Sequence, residues 1–190
     1  MSAPGSGKTT LLCALIPALQ PALRVGVMEA DIDGDVDAYR VHEAGAAAVQ
    51  VHTGGMCHLD ADMTRQSLAG LPEPCDLVFL ENIGNLVCPA EYATGAHLNL
   101  ALLSIPEGDD KPLKYPLLFG ICDAVIVTKA DTVPYFGFSV EHVRQTLAKA
   151  NPDAPVFVTS AHTGEGVQAV SAWIKERYTA WKEALDEQSD

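Results

Sequence analysis

Residues 2–10, S-A-P-G-S-G-K-T-T, constrain this chain more than any other stretch, and they run straight into the apolar residues L-L-C-A-L-I. A glycine-rich turn that opens a helix and delivers Lys followed by Thr suits the phosphate tail of a nucleotide. Gly5 and Gly7 let the backbone approach phosphate oxygens, with Ser6 and Thr10 as flanking contacts. Lys8 supplies a point charge, and the Thr9 hydroxyl suits Mg²⁺. The usual pattern G-x-x-x-x-G-K-[ST] has glycine where this chain has Ser2. A Gly/Ser turn capping an ordinary helix would not require G-S-G-K-T-T as a unit.

Such a loop normally follows the central strand of a parallel sheet. Only Met1 stands before Ser2 in this sequence, so the expectation is a sheet lacking its first strand or rebuilt around the gap. A chain of 190 residues favours one domain, expected over 1–184, with a frayed tail over 185–190. No apolar run approaches the ~20 residues of a membrane span and no export signal is visible, which predicts a cytoplasmic protein without membrane contact. A net charge of −13 argues against sequence-independent nucleic-acid binding, so the loop serves a nucleotide rather than a polymer. The five cysteines are scattered and read as reduced thiols. Cys13, Cys75 and Cys122 fit structural positions, whereas Cys57 and Cys88 fall beside other candidate ligands.

Periodicity predicts a helix over 8–19, ended by Pro21, and a strand over 23–29 that runs into Glu29, Asp31, Asp33, Asp35 and Asp37. Ligands of parallel sheets bind beyond the carboxyl ends of strands, which makes Asp31 the candidate facing Mg²⁺ and the terminal phosphate. Residues 33–37 suit a solvated, helix-capping loop equally well. Further helices are expected over 36–43, to about 68, over 140–150 and over 164–184. Strands are expected over 47–51, 77–80 (buried on both faces and ending at Glu81), 101–105, 124–128 and 155–159. Residues 106–116 read as a charged loop. The alternation predicts a three-layer α/β domain with a mostly parallel sheet.

Three strand ends carry chemistry. In T-K-A-D, residues 128–131, Asp131 can accept from guanine N1–H and its 2-amino group while the Lys129 stem lies along the base. GTPases usually carry N-K-x-D, so Thr128 is a departure whose hydroxyl could make some of the Asn contacts. Ser160 and Ala161 form a second base-contacting loop after the last strand. In E-N-I-G, residues 81–84, Glu81 would face Mg²⁺ or its water, and the Gly84 N–H could report a γ-phosphate. Cys57 and His58 follow a Gly-Gly turn that would let both converge; with Cys88 they make a donor set for tetrahedral Zn²⁺ or planar Ni²⁺. Spacing alone favours two core cysteines and a structural histidine over that site.

The runs S-x-P-G-S-G-K-T-T-L-L, T-G-x-x-C-H-L-D-A, E-N-x-G-N-L-V-C-P, E-G-D-D-K-P-L-K-Y-P and S-A-x-x-G-E-G-x together resemble the HypB family, the nickel-incorporation GTPases of hydrogenase maturation. The resemblance spans residues 2–173 and implies a P-loop NTPase fold, GTP hydrolysis and dimerisation on GTP binding. It implies nickel delivery to the large subunit of [NiFe] hydrogenase, with a zinc-containing partner protein. By it, Cys57, His58 and Cys88 match a metal site near the dimer interface, Lys8 and Thr9 the phosphate and Mg²⁺ contacts, and Asp131 the guanine contact. Turnover is expected to be slow, because no Arg or Gln is obviously placed for the γ-phosphate. The missing strand, the lack of an N-terminal Cys motif or His-rich tract, and Thr128 depart from the pattern. His42, His52, His97, His142 and His162 match no ligand pattern. A urease-type nickel GTPase would carry Cys-Pro-His, whereas here His58 follows Cys57 directly. A metal-binding protein without GTP hydrolysis is the remaining alternative.

Overall fold

The computed structural model describes residues 1–20, 22–30, 35–72 and 74–187, with side chains for all of these except 35–38. Pro21, Asp31 and Asp33 therefore lie outside the described residues, as does the final part of the tail. Strands β1 (Val25–Glu29), β2 (Ala47–Gln50) and β3 (Leu77–Glu81) form one parallel sheet in the order β2-β1-β3. Strands β4 (Leu100–Ser104), β5 (Ala124–Thr128) and β6 (Val156–Val158) form a second parallel sheet in the order β4-β5-β6. β1 and β5 are buried along their whole length, as continuous apolar runs in the middle of covered parallel sheets should be.

The helices are α1 (Lys8–Leu19), α2 (Asp35–Glu43), α3 (Ala61–Leu68), α4 (Cys88–Glu91), α5 (Lys111–Lys114), α6 (Pro116–Ile121), α7 (Val140–Ala150) and α8 (Val167–Glu187). Leu11, Leu15, Ile16 and Leu19 of α1 pack with Val167, Val170 and Ile174 of α8, and the same cluster takes in Val27 and Ile126. One hydrophobic core thus bridges the two sheets. Carbonyls at the end of a helix lack intrahelical partners, and that of Ala18 accepts from Ser171 Oγ at 3.2 Å and Lys175 Nζ at 2.7 Å. Among the described residues no helix is long and apolar enough to cross a membrane.

Three expectations need correction. The tail is helical through Glu187, because A-L-D-E extends α8 with mostly strong helix formers. The 106–116 stretch is a set of short turns: Ser104 and Glu107 close a capping box over Ile105–Glu107, and α5 and α6 follow. Such pieces are too short to show periodicity. Finally, Leu77–Leu80 are only half-buried. Among the described strands β3 pairs with β1 alone and β4 with β5 alone.

Met1 and Ser2 lie in the break between the sheets. The Met1 ammonium donates to Leu100 O at 2.7 Å, and Met1 O accepts from Leu102 N at 2.9 Å. That alternation is parallel-ladder pairing opposite Ala101. Ser2 then bridges Asn85 in antiparallel fashion. Among the described residues, Met1 and Ser2 bridge the break between β3 and β4.

Burial pushes the Met1 ammonium down to about 5 from its ordinary 8.0; the Lys8 charge adds to the fall, and Glu81 and then Cys122 oppose it. A base whose folded value lies below its unfolded value gives up its proton on folding. Stability from this group is fully present above the unfolded value and lost as pH falls toward the folded one. The thermal midpoint is therefore expected to climb between about pH 5 and pH 8 more steeply for the free chain than for an Nα-acetylated one. Equal slopes would show that the terminus is not held as described.

Candidate functional site

The loop between Met1 and α1 is built by two left-handed glycines, Gly5 at φ 71° and Gly7 at φ 90°, the latter capping α1. The first amides of a helix have no intrahelical partner, and together with the helix dipole they favour an anion at this end of α1. Ser2 is fully buried and accepts from Ser6 Oγ at 2.5 Å, so the residue in place of the usual glycine ties the neck of the loop. Ser6 lies within this turn, Lys8 opens α1, and the exposed Thr10 follows on it.

From the other side the loop is braced by the end of β5. Thr128 Oγ1 donates to Ser6 O at 2.6 Å, and Lys129 Nζ donates to Gly5 O at 2.7 Å. Lys129 itself sits at φ 60°, the one non-glycine residue with positive φ among the described residues. The Thr128 hydroxyl is thus committed to the loop, not free to replace an asparagine at a base. Asp131 is exposed at the rim and accepts from Ser160 Oγ at 2.6 Å. That hydrogen bond holds its carboxyl below the usual carboxylate range, so it stands ionised and aimed. Ala130 N donates to Thr159 O at 3.0 Å, which joins the Asp131 and Ser160–Ala161 loops.

At the end of β3, Thr9 Oγ1 donates to Glu81 Oε1 at 2.9 Å, both residues being buried. A hydroxyl beside a buried carboxylate is an oxygen donor set of the kind Mg²⁺ takes, so these residues fit that ion. Two further residues stand here that the motifs did not single out. Glu29 ends β1 in register with Glu81 and is also buried, so two carboxylates share one end of the sheet. Arg40 of α2 places Nη2 3.4 Å from Thr10 Oγ1, bringing a guanidinium beside the loop. The strand-end position of Glu29 was a readable signal; the reach of Arg40 across α2 was not.

The chain leaving Glu81 presses on the loop. A Cβ on Gly84 would lie 2.9 Å from both the N and Cα of Pro4, so only glycine fits there without movement. Asn85 pairs with Ser2, and its Oδ1 accepts from Val87 N at 2.8 Å and Cys88 N at 3.3 Å. Cys88 Sγ lies 3.1 Å from Cys57 Sγ. That contact, then desolvation, lifts the Cys88 thiol above its ordinary range. The thiols meet, but the imidazole does not join them: His58 stacks on Tyr92 with ring centroids 3.6 Å apart and planes at 12°. No group of three metal-binding side chains converges among the described residues. The expected convergence of Cys57, His58 and Cys88 within one chain is therefore incomplete, because the Tyr92 ring holds His58. The alternative of two core cysteines fares no better, since Cys57 is exposed and Cys88 half-buried. His58 Nδ1 is buried and has no hydrogen-bond partner among the described residues.

The model of the CobW/HypB/UreG nucleotide-binding domain matches residues 1–158. The chain belongs to this family. It is 46% identical over 182 residues to the hydrogenase/urease maturation factor HypB of Helicobacter hepaticus, covering 93% of this chain and 74% of that protein. It is 43% identical over 176 residues to the hydrogenase maturation factor HypB of Rhizobium leguminosarum bv. viciae, covering 92% of this chain but only 59% of that relative. The crystal structure of HypB from Helicobacter pylori in complex with nickel superposes with a TM-score of 0.89 at 40% identity, over 95% of this chain and 85% of that one. Family membership accounts for the P-loop fold and the parallel strands.

Two outcomes follow for the site. Gly84→Ala is expected to weaken nucleotide binding by roughly ten- to a hundredfold, because the added methyl displaces Pro4; an unchanged affinity in a titration would show that the loop yields without cost. Mild oxidation by a disulfide reagent is expected to join Cys57 to Cys88, seen as the loss of two hydrogens in peptide mass spectra, and prior nickel loading should prevent it.

Proposed function

We propose that the chain is a GTP-hydrolysing nickel metallochaperone for the maturation of [NiFe] hydrogenase, built on a single P-loop domain and working in the cytoplasm. The observation that carries this reading is the continuity of residues 81–88, which pass from Glu81 beside Thr9, through Gly84 against Pro4, to Cys88 beside Cys57. A change at the phosphate end of this segment is passed to the thiols through a few backbone bonds.

In this mechanism Gly5, Ser6, Gly7, Lys8, Thr9 and Thr10 hold the phosphates of GTP, and Asp131, Lys129, Ser160 and Ala161 hold the guanine. Thr9 and Glu81, with Asp31 from the acidic loop, would hold Mg²⁺, which screens phosphate charge during hydrolysis. Gly84 N–H senses the γ-phosphate. Arg40 of α2 brings a guanidinium beside the loop through Thr10. Nickel is cargo here. Cys57 and Cys88 supply thiolates, and a second copy, recruited when GTP binds, completes the set together with His58 once it leaves Tyr92. The zinc-containing partner and the hydrogenase large subunit rest on the sequence resemblance, while the names of the relatives support a role in hydrogenase maturation.

A fluorescent-GDP titration with competing nucleotides tests the first half. Displacement by GTP but not ATP is expected, with Asp131→Ala losing the discrimination while the fold survives. Nickel titrations of the dimer in GDP and in a non-hydrolysable GTP analogue test the second half. Identical affinities in the two states would remove the coupling.

A further inference from the structure

Guanine offers a binding site four polar groups: the donors N1–H and the 2-amino group, and the acceptors O6 and N7. An acceptor such as N7 is read only by a donor, and the donors at the end of β5 are engaged within the protein. Thr128 Oγ1, whose hydroxyl carries one proton, donates to Ser6 O at 2.6 Å. Lys129 Nζ is drawn to Gly5 O at 2.7 Å, Ala130 N donates to Thr159 O at 3.0 Å, and Thr132 Oγ1 donates to Lys129 O at 2.7 Å. Burial gives the same division independently. A group that touches a bound base is open to solvent until the base arrives. Asp131 is exposed in that way, whereas Thr128 is only 4% exposed. The Thr128 hydroxyl therefore serves the phosphate loop, and the Asp131 carboxylate is the group left open to a ligand.

We propose that this site reads guanine without its N7 atom: Thr128 is a positioning residue of the phosphate loop, and guanine nucleotides in which N7 is replaced by C–H bind as well as the ordinary ones. The proposal rests on the guanine reading given above for Asp131 and deepens it. An ionised carboxylate is an acceptor only, so Asp131 meets N1–H and the 2-amino group, and O6 is left to the Ser160–Ala161 loop. Those contacts already exclude adenine. N7 is an acceptor in guanine and adenine alike, so a hydrogen bond to it adds affinity without choosing between the purines. A chain that gives up this bond keeps its selectivity. It gains a hydroxyl that fixes the Ser6 carbonyl instead, and that fixation acts on the phosphate end of any bound nucleotide, whatever its base.

The test measures the affinity of the unaltered chain for GDP, 7-deaza-GDP and inosine diphosphate, by competition against one fluorescent nucleotide. 7-Deaza-GDP is expected to match GDP within about twofold, because no protein donor loses a partner. Binding more than about twofold weaker overturns the proposal, since a lost hydrogen bond to N7 costs about three- to tenfold. Inosine diphosphate lacks the 2-amino group and is expected to bind about tenfold more weakly than GDP. Equal binding of inosine diphosphate removes the Asp131 reading of the proposed function, while the 7-deaza comparison still decides the role of N7. Failure to bind GDP overturns both. Thr128→Val then separates the two roles open to the side chain. Loss of the hydroxyl is expected to weaken GDP and 7-deaza-GDP by the same factor, about three- to tenfold, and Thr128→Ser to recover most of that loss. A ratio of the two affinities that shifts in Thr128→Val places the hydroxyl at the base and overturns the proposal. Should that variant fail to fold, the comparison on the unaltered chain decides alone.

Discussion

Two hydrogen bonds from the end of β5 hold the phosphate loop in shape: Thr128 Oγ1 to Ser6 O and Lys129 Nζ to Gly5 O. A loop with two left-handed glycines loses much backbone freedom when it is fixed, and its carbonyls compete with its amides for direction. Engaging the carbonyls of Gly5 and Ser6 satisfies two acceptors that would otherwise repel an anion bound at the loop. Because residues 128–129 lead directly into Asp131, the shape of the phosphate loop and the position of the Asp131 carboxylate are set by one strand end. This strand is the most completely buried in its sheet, so the brace rests on rigid ground.

The opposite side of the loop is held by contact. Gly84 lies so near Pro4 that no side chain fits between them, and Ser2 pairs with Asn85. A stiff contact of this kind transmits displacement, because closely packed groups cannot absorb a shift by compressing. The same Asn85 carbonyl oxygen of the side chain accepts the amides of Val87 and Cys88, so the start of α4 follows whatever Asn85 does. Residues 81–88 thus behave as a short connecting rod between a carboxylate and a thiol.

How much of this the sequence discloses depends on how local each requirement is. The loop at 2–10, Glu81 at its strand end, and Asp131 and Ser160 as residues of one site are legible because particular chemistry restricts the residue types and their order; the hydrogen bond from Ser160 Oγ to Asp131 is not. The parallel strands were readable from their apolar runs, to within a residue or two at their ends. The role of Thr128 was not, since its partner Ser6 lies 122 positions away and a hydroxyl suits several tasks. Nor was the stacking of His58 on Tyr92, which depends on how α4 returns over the Gly-Gly turn. Asp31 remains a reading of sequence alone, whereas Glu29, passed over in its favour, is buried in register with Glu81.

The Cys57–Cys88 end of the molecule illustrates the difference between a donor set and a site. Two sulfur atoms 3.1 Å apart, one exposed and one half-buried, form an accessible soft pair that a thiophilic ion can approach without unfolding anything. His58 is held differently: its ring is stacked on Tyr92 and its Nδ1 is buried with no partner among the described residues. On the proposed function, two thiols within reach and a restrained imidazole give nickel a weak hold in one state and a tighter one in another. Selective release needs that contrast more than it needs high affinity, because cargo held equally well in both states cannot be handed on.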